Sequence, residues 1–182
     1  MIAQPSVRIE LSAGYHLSGV GEDDRATQVQ LLSDGEIAAF IPTIPQPYTE
    51  ESADKWIRHR MEVARGGVEI SFAIRDPAGQ MVGSVGVDDL KVGAAESGEL
   101  GYWLAPAVRG RGLASEAVRA FVPYSFDVLG LQRLSAHTLH FNERSIRVLE
   151  RSGFSLEGRL RRFTRTATGL HDTLVFGLLR DG

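Results

Sequence analysis

The sequence predicts a single mixed α/β domain, on the basis of two alternating periodicities and an ordinary length. Apolar and polar residues alternate in segments such as residues 7–11, which is typical of half-buried strands. Between such segments, apolar residues recur at spacings of three and four, which is typical of amphipathic helices. The predicted order is β-α-α-β-β-β-α-β-α-β-β. Because 182 residues fit one domain and no repeat or linker divides the chain, we expect one domain over residues 1–182.

The composition excludes several classes of protein. The chain has 20 Lys and Arg against 23 Asp and Glu, a formal charge of −3, whereas direct binding of nucleic acid favours a basic excess. It has no cysteine, which rules out disulfides, thiolate nucleophiles and cysteine metal sites. No apolar run reaches the ~18 residues of a membrane span, and the N-terminus lacks a signal pattern. We therefore expect a cytoplasmic protein with no membrane and no nucleic-acid partner.

The N-terminal half is predicted to carry two helices separated by a proline-rich loop. A first helix is expected over about residues 23–32. Residues 40–48 contain three prolines and are predicted to be an extended loop, because proline lacks the donor that regular structure needs. Thr49 is a favourable N-cap for a second, amphipathic helix, which Gly66-Gly67 is expected to end.

The later elements are predicted from the same periodicities and from turn residues. They are a hairpin of residues 68–75 and 81–87, a strand over 99–104, a helix after Gly112, a strand over 131–139, a helix over 142–152 ended by Gly153, and strands over 154–162 and 172–179. Pro123 is expected to kink or interrupt the helix after Gly112, because a proline in a helix removes one hydrogen bond and clashes with the preceding turn.

The strongest local signal is a glycine-containing turn between the strand at 99–104 and the following helix. Gly110 and Gly112 allow backbone N–H groups to approach a ligand, and the free N–H groups and dipole of the helix favour a phosphate. Arg109 and Arg111 add positive charge. The dinucleotide fingerprint and the P-loop string are both absent. From this loop alone, a phosphate site and an ordinary surface turn remain equally open.

Four blocks of sequence resemble one family, at matching spacing across nearly the whole chain. They are PQPYTEESADKWI at 45–57, GELGYWLAPAVRGRGLASEAV at 98–118, NERSIRVLERSGF at 142–154 and HDTLVFGLL at 171–179. On these blocks the chain resembles the GNAT superfamily of acyl-CoA N-acyltransferases, and within it the Rim-type ribosomal-protein N-terminal acetyltransferases. The resemblance implies an α/β three-layer fold, with a curved mixed sheet of about seven strands flanked by helices. The fourth and fifth strands of that fold splay apart.

The resemblance also implies a site for acetyl-CoA as co-substrate, with no metal. The pantetheine arm would lie between the splayed strands, here residues 99–104 and 131–139, and the pyrophosphate on the N–H groups of residues 110–114. The binding residues expected from it are Trp103, Leu104, Val108, Arg109, Gly110, Arg111, Gly112, Leu113, Ala114, Asn142 and Ser145.

Acyl transfer from a thioester to an amine needs a neutral amine and a proton for the departing thiolate. Asn142 and Ser145 fit the cap and first turn of a helix, and by resemblance Asn142 contacts the CoA arm while Ser145 protonates the thiolate. The candidate bases are His137 and Glu99, for which a strand histidine and an edge ion pair remain open as structural roles. Some relatives carry a carboxylate where this chain has Thr164, which puts that carboxylate's role in doubt here.

The predicted function is acetyl-CoA-dependent N-acetyl transfer by direct attack in a ternary complex. The acceptor is a primary amine, on a protein N-terminus or a small molecule, and the charge of −3 mildly favours a cationic one. Residues 41–48 are expected to form its lid. The predicted strand over 154–162 and the residues after it contain four arginines, at 159, 161, 162 and 165. They indicate either a solvated edge strand or a basic rim that binds an anionic group. The alternatives are a non-catalytic CoA-binding module and, more distantly, a nucleotide-phosphate binder; a homodimer is possible for this branch.

Overall fold

The computed structural model describes residues 7–65, 70–91 and 96–180, which form one sheet with four α-helices. The strands are β1 (Arg8–Glu10), β2 (His16–Gly19), β3 (Ser71–Arg75), β4 (Met81–Lys91), β5 (Ser97–Leu104), β6 (Arg133–Leu139), β7 (Ser155–Thr166) and β8 (Gly169–Leu179). The helices are α1 (Arg25–Leu32), α2 (Glu50–Arg65), α3 (Leu113–Asp127) and α4 (Glu143–Arg151).

The sheet is mixed, with the strand order β1-β2-β3-β4-β5-β6-β8-β7. Every neighbouring pair is antiparallel except β5 and β6, which are parallel. The predicted α/β class, with a mixed sheet flanked by helices, is confirmed. Eight strands are described where the sequence predicts about seven. The additional strand is β2, whose four residues include one aliphatic side chain, Leu17, and so show no alternation that could be detected.

The parallel ladder between β5 and β6 is short. It consists of the pairs Ser97↔Arg133, Gly98↔Leu134 and Glu99↔Ser135. Beyond Glu99, β5 stays paired with β4 as far as Leu104, whereas β6 continues alongside β8. These are the two strands that the resemblance predicts to splay apart, the fourth and fifth of the sequence-based numbering.

The main core lies between the sheet and α3. Phe72 of β3 meets Phe121 and Tyr124 of α3 edge-to-face, with ring centroids 5.8 and 5.0 Å apart. Phe72 and Phe121 are fully buried, and each contributes roughly 2–3 kcal/mol by leaving water. α3 runs without a break through Pro123, so the predicted interruption is wrong. The reason is that α3 buries apolar side chains on both sides of the proline, which outweighs one missing hydrogen bond.

A second apolar cluster lies under the connection between α1 and α2. Its buried members are Leu32, Ile37, Tyr48 and Ala53, with Val29, Ile41, Ile44 and Trp103 packed against them. Residues 40–48 are irregular, as predicted, but they fold into turns over this cluster and are not extended. Thr49 caps α2 as predicted, because its Oγ1 accepts the Ser52 N–H at 3.2 Å.

Two features of the sequence prediction lie outside the described residues, namely Gly66-Gly67 at the end of the second helix and the first residues of the strand at 68. Among the helices that the structure does describe, none has the length and apolar character needed to cross a membrane.

Candidate active site

The gap between β5 and β6 exposes a free strand edge. Ala105 N–H donates to the Val82 carbonyl oxygen of β4 at 2.8 Å. Because the backbone groups of successive strand residues point to opposite sides, those of Tyr102 and Leu104 point away from β4 and into the gap. The Leu104 carbonyl oxygen accepts Arg109 Nε, which leaves the backbone groups of Tyr102 and the Leu104 N–H to an extended ligand that contains amide groups.

The two faces of β5 carry different chemistry. The face covered by α3 carries Leu100, Tyr102 and Leu104, and the opposite face carries Glu99, Gly101 and Trp103. Gly101 is exposed although β5 is a central strand, and among the described residues a Cβ there would meet only Asp88 Oδ2, at 3.9 Å. The sheet is therefore open above Gly101, and a small group can approach the gap from this side.

The loop between β5 and α3 has the backbone of a phosphate site. Gly110 and Gly112 have φ values of +79° and +83°, and a Cβ on either residue would meet no described atom within 4 Å. This left-handed backbone favours glycine, and the space beside it is open. Gly112 is the N-cap of α3, whose first N–H groups, at Leu113 and Ala114, have no acceptor within the helix. Together with the helix dipole they favour an anion.

The two arginines of this loop differ in their contacts. Arg109 donates from Nε to the Leu104 carbonyl oxygen at 2.9 Å, and its Nη1 pairs with Glu36. It therefore ties the loop to the end of β5 and to the α1–α2 connection, with its charge compensated. Arg111 is exposed and has no carboxylate partner within the described part of the chain. Of the two charges that the sequence places here, that of Arg111 remains available to a phosphate.

A hydrogen-bonded pair joins β5 to the first turn of α4. Tyr102 Oη lies 2.7 Å from Ser145 Oγ and 3.2 Å from the Ser145 carbonyl oxygen. Burial raises the pKa of Tyr102 to about 12, against a smaller lowering by its hydrogen bond with Ser145, so the phenol is protonated at neutral pH. Asn142 is the N-cap of α4, and its Oδ1 accepts the Ser145 N–H at 3.2 Å. Ser145 is thus held through its backbone and its hydroxyl.

The two candidate bases contact each other on the open face of the sheet. His137 Nδ1 lies 3.1 Å from Glu99 Oε1, and their side chains are 32% and 39% exposed. When the Nδ1–H donates to Glu99, Nε2 is left to accept a proton, which is the arrangement that general-base catalysis requires. Glu99 belongs to the last pair of the β5–β6 ladder, so the two side chains lie where the strands separate.

Aromatic rings border this face. The Phe163 ring of β7 lies 6.4 Å from the His137 ring. Phe40, the first residue of the proline-rich loop, has its ring 6.3 Å from that of Phe141, which follows β6. The loop therefore reaches the connection between β6 and α4. Thr164 is hydrogen-bonded to Thr173 and supplies no carboxylate.

Some residues that the sequence predicts to contact the ligand have side chains that pack in the apolar clusters. One residue beside the gap is not among those that the sequence predicts. Trp103 packs on the cluster under the α1–α2 connection, while Leu113 lies in the main core and Val108 packs against it. Only the backbone of Leu113 is placed to meet a ligand, and the three assignments stay predictions.

Tyr102 is the residue beside the gap that the sequence analysis does not predict. The signal for it is the alternation along β5, which sets Tyr102 on the same face as Leu104.

No three His, Asp or Glu side chains of the described residues come together as candidate metal ligands.

The sequence and the fold were compared with known proteins. The family model described as Acetyltransferase (GNAT) domain matches residues 16–155. A relative from Bacillus subtilis, named probable N-acetyltransferase YjcK, is 33% identical over 133 residues, which cover 72% of this chain and 74% of the relative.

Solved structures show the same fold. That of ribosomal-protein-S5-alanine acetyltransferase from Vibrio fischeri has a TM-score of 0.87 at 21% identity and covers 96% of this chain and 97% of its own. That of Mycobacterium smegmatis RimJ in complex with CoA-disulfide has a TM-score of 0.81 at 23% identity, over 97% of this chain and 87% of its own. With a family model that matches most of its length and a fold shared with Rim-type enzymes, the chain belongs to the GNAT family of N-acetyltransferases.

Proposed function

We propose that this acetyltransferase transfers an acetyl group from acetyl-CoA to a primary amine, by direct attack within a ternary complex. The observation that carries the proposal is the gap beyond Glu99, which has a free strand edge along one side and a glycine loop at its end. The amides of a pantetheine arm suit the edge at Tyr102 and Leu104. A pyrophosphate suits the N–H groups of residues 110–114, with Arg111 as its cation.

Acetyl-CoA supplies an activated thioester, whose C–S bond breaks as the C–N bond to the amine forms. Ser145 Oγ, hydrogen-bonded to the protonated phenol of Tyr102, gives a proton to the leaving sulfur on the α3 face. His137 Nε2, oriented by Glu99, takes a proton from the amine on the open face. Acid and base therefore act from opposite faces of the sheet. After CoA leaves, His137 releases its proton to water and Ser145 regains one from water, which restores both groups for the next turnover.

The acceptor enters above Gly101, where the sheet is open. Glu99 shares this face, and its carboxylate attracts a protonated amine before the amine loses its proton to the base pair. Asp88, opposite Glu99 in register, is already paired with Arg60 and adds no free charge. Residues 41–48 form the lid, with Phe40 against Phe141. An amine on a protein N-terminus or on a small molecule fits these features.

The test separates donor binding from turnover. Thiol release from acetyl-CoA is followed with a panel of N-terminal peptides and small primary amines, for the wild-type protein and for Ser145→Ala. We expect Ser145→Ala to lower kcat by about 10²-fold and to leave acetyl-CoA binding intact. Ser155→Ala, an exposed serine of β7, is the control and retains activity. Unchanged turnover in Ser145→Ala would refute the role of Ser145.

A non-catalytic CoA-binding module is not favoured. Relatives of the chain are named as N-acetyltransferases, and the Tyr102–Ser145 and His137–Glu99 contacts beside the gap support catalysis over binding alone.

A further inference from the structure

The outer strand of the sheet presents an uncovered basic surface. β7 pairs with β8 on one side only, and most of its side chains are exposed. Three of these exposed side chains are large and apolar, with Phe163 the most exposed at 60%. They are Leu156, Leu160 and Phe163, and the same strand carries arginines at 159, 161, 162 and 165.

A bulge pushes part of this strand outward. Leu160 pairs with Thr173 and Thr164 with His171, so three residues of β7 lie opposite Asp172 alone. Arg162, in the middle of the bulge, has a φ of +50°. The Asp172 carboxylate holds the bulge by accepting the Arg162 N–H at 2.8 Å and Arg159 Nε at 2.7 Å.

The positive charges of this segment are not balanced. Arg159 is paired with Asp172, but Arg161, Arg162 and Arg165 have no carboxylate partner among the described residues. The one nearby glutamate of β7, Glu157, is already paired with Arg133 of β6. The segment therefore carries three free positive charges on a chain whose overall charge is −3.

This surface is continuous with the candidate active site. The Phe163 ring lies 6.4 Å from His137, and His137 contacts Glu99 at the end of the β5–β6 ladder. A chain bound along residues 160–165 of β7 therefore passes beside the face on which the amine enters.

We propose that residues 160–165 of β7, the basic edge, bind an extended acidic segment of a protein acceptor. This inference rests on the proposed function, and it names the acceptor class: a protein with Asp and Glu close in sequence to the acetylated amine. At ~3.3 Å per strand residue, the backbones of Arg161 and Arg165 are on the order of 10 Å apart, so the free charges form a row along the strand. A row of cations suits an extended anion, and the apolar side chains of a polypeptide can cover Leu160 and Phe163.

Two other occupants fit less well. A second copy of this chain would bring the same arginines against each other, which costs free energy by like-charge repulsion. A nucleic acid carries a phosphate at every nucleotide, and its binding needs a longer run of free cations than the three arginines of this segment.

The test measures binding of a fluorescent 12-residue peptide that contains six glutamates, by anisotropy, against the same peptide with glutamines. We expect the glutamate peptide to bind more tightly, with an affinity that falls as salt is added. Arg161→Gln/Arg165→Gln is expected to weaken it by about tenfold, because two exposed charge contacts are lost. Arg58→Gln/Arg151→Gln, which removes two exposed arginines outside β7, is the control and leaves the affinity unchanged.

Equal affinity for both peptides, or no effect of the β7 variant, overturns the inference. So does tighter binding of a 12-nucleotide RNA, or self-association that the β7 variant abolishes in sedimentation. Acetyl-CoA binding and acetylation of a small amine are measured on the same samples. If both are present while the peptide effect is absent, this inference alone fails; if acetyl-CoA binding is absent in the wild type, the proposed function fails first.

Discussion

Replacing Gly112 by alanine separates backbone strain from ligand contact at the glycine loop. Gly112 has a φ of +83° and its added Cβ would touch nothing within 4 Å, so without ligand the cost is that of a left-handed alanine, about 1–2 kcal/mol. Gly79, in the β3–β4 turn, has a φ of +82° and the same open surroundings. Gly79→Ala is therefore a control with matched strain and no role in the proposed site.

The stabilisation of the folded protein by acetyl-CoA is measured as the change in the free energy of unfolding in urea with and without the ligand. At ~100 times its dissociation constant, acetyl-CoA stabilises the wild-type protein by about 2.7 kcal/mol. If the Cβ of Gly112→Ala enters the space of the pyrophosphate and weakens affinity tenfold, that gain falls to about 1.4 kcal/mol. Gly79→Ala should keep the full gain. The reasoning is refuted if Gly112→Ala also keeps it, or if the two variants lose it equally.

Three further predictions concern stability. Tyr102→Phe removes a phenol whose pKa is raised by burial to about 12. The stabilisation by this neutral phenol is present below pH ~10 and is lost as the pH rises to ~12. Over this range the free energy of unfolding of the variant should therefore fall by roughly 2–3 kcal/mol less than that of the wild type, and an equal fall contradicts the prediction. Asn142→Ala should cost about 1 kcal/mol in urea unfolding through the lost cap on the Ser145 N–H, whereas Asn142→Ser should restore most of it. Asp24→Asn breaks a buried pair with Arg75, at 2.6 and 2.9 Å, and should cost about 3 kcal/mol; a loss under ~1 kcal/mol is inconsistent with that pair.

The features that the sequence predicts well are local. Thr49 and Asn142 are recognised as caps because each side chain accepts a hydrogen bond from the backbone N–H three residues later in the sequence. Gly110 and Gly112 are recognised because a strand, a glycine turn and a helix follow each other directly. The GNAT resemblance adds the gap between β5 and β6, which periodicity alone does not indicate.

The features that the sequence does not predict depend on contacts between distant segments. Arg109 pairs with Glu36 of the α1–α2 connection, a contact that no spacing in the sequence reveals, and its role as a phosphate ligand stays a prediction. Tyr102 contacts Ser145 only because α4 packs beside β5. The bulge in β7 depends on Asp172 of the neighbouring strand. The proline-rich loop folds into turns because it covers its own apolar cluster, and proline content does not report that packing.

The central claim is that the gap beyond Glu99 and the loop at 110–114 form one site for acetyl-CoA. Calorimetric titration of the protein with acetyl-CoA, CoA, ATP and NAD tests it most directly. The account predicts saturable binding of acetyl-CoA and CoA at one site per chain, weakened in Gly112→Ala and retained in Ser145→Ala. Tight binding of ATP or NAD without binding of CoA would contradict it and would favour a nucleotide-phosphate binder.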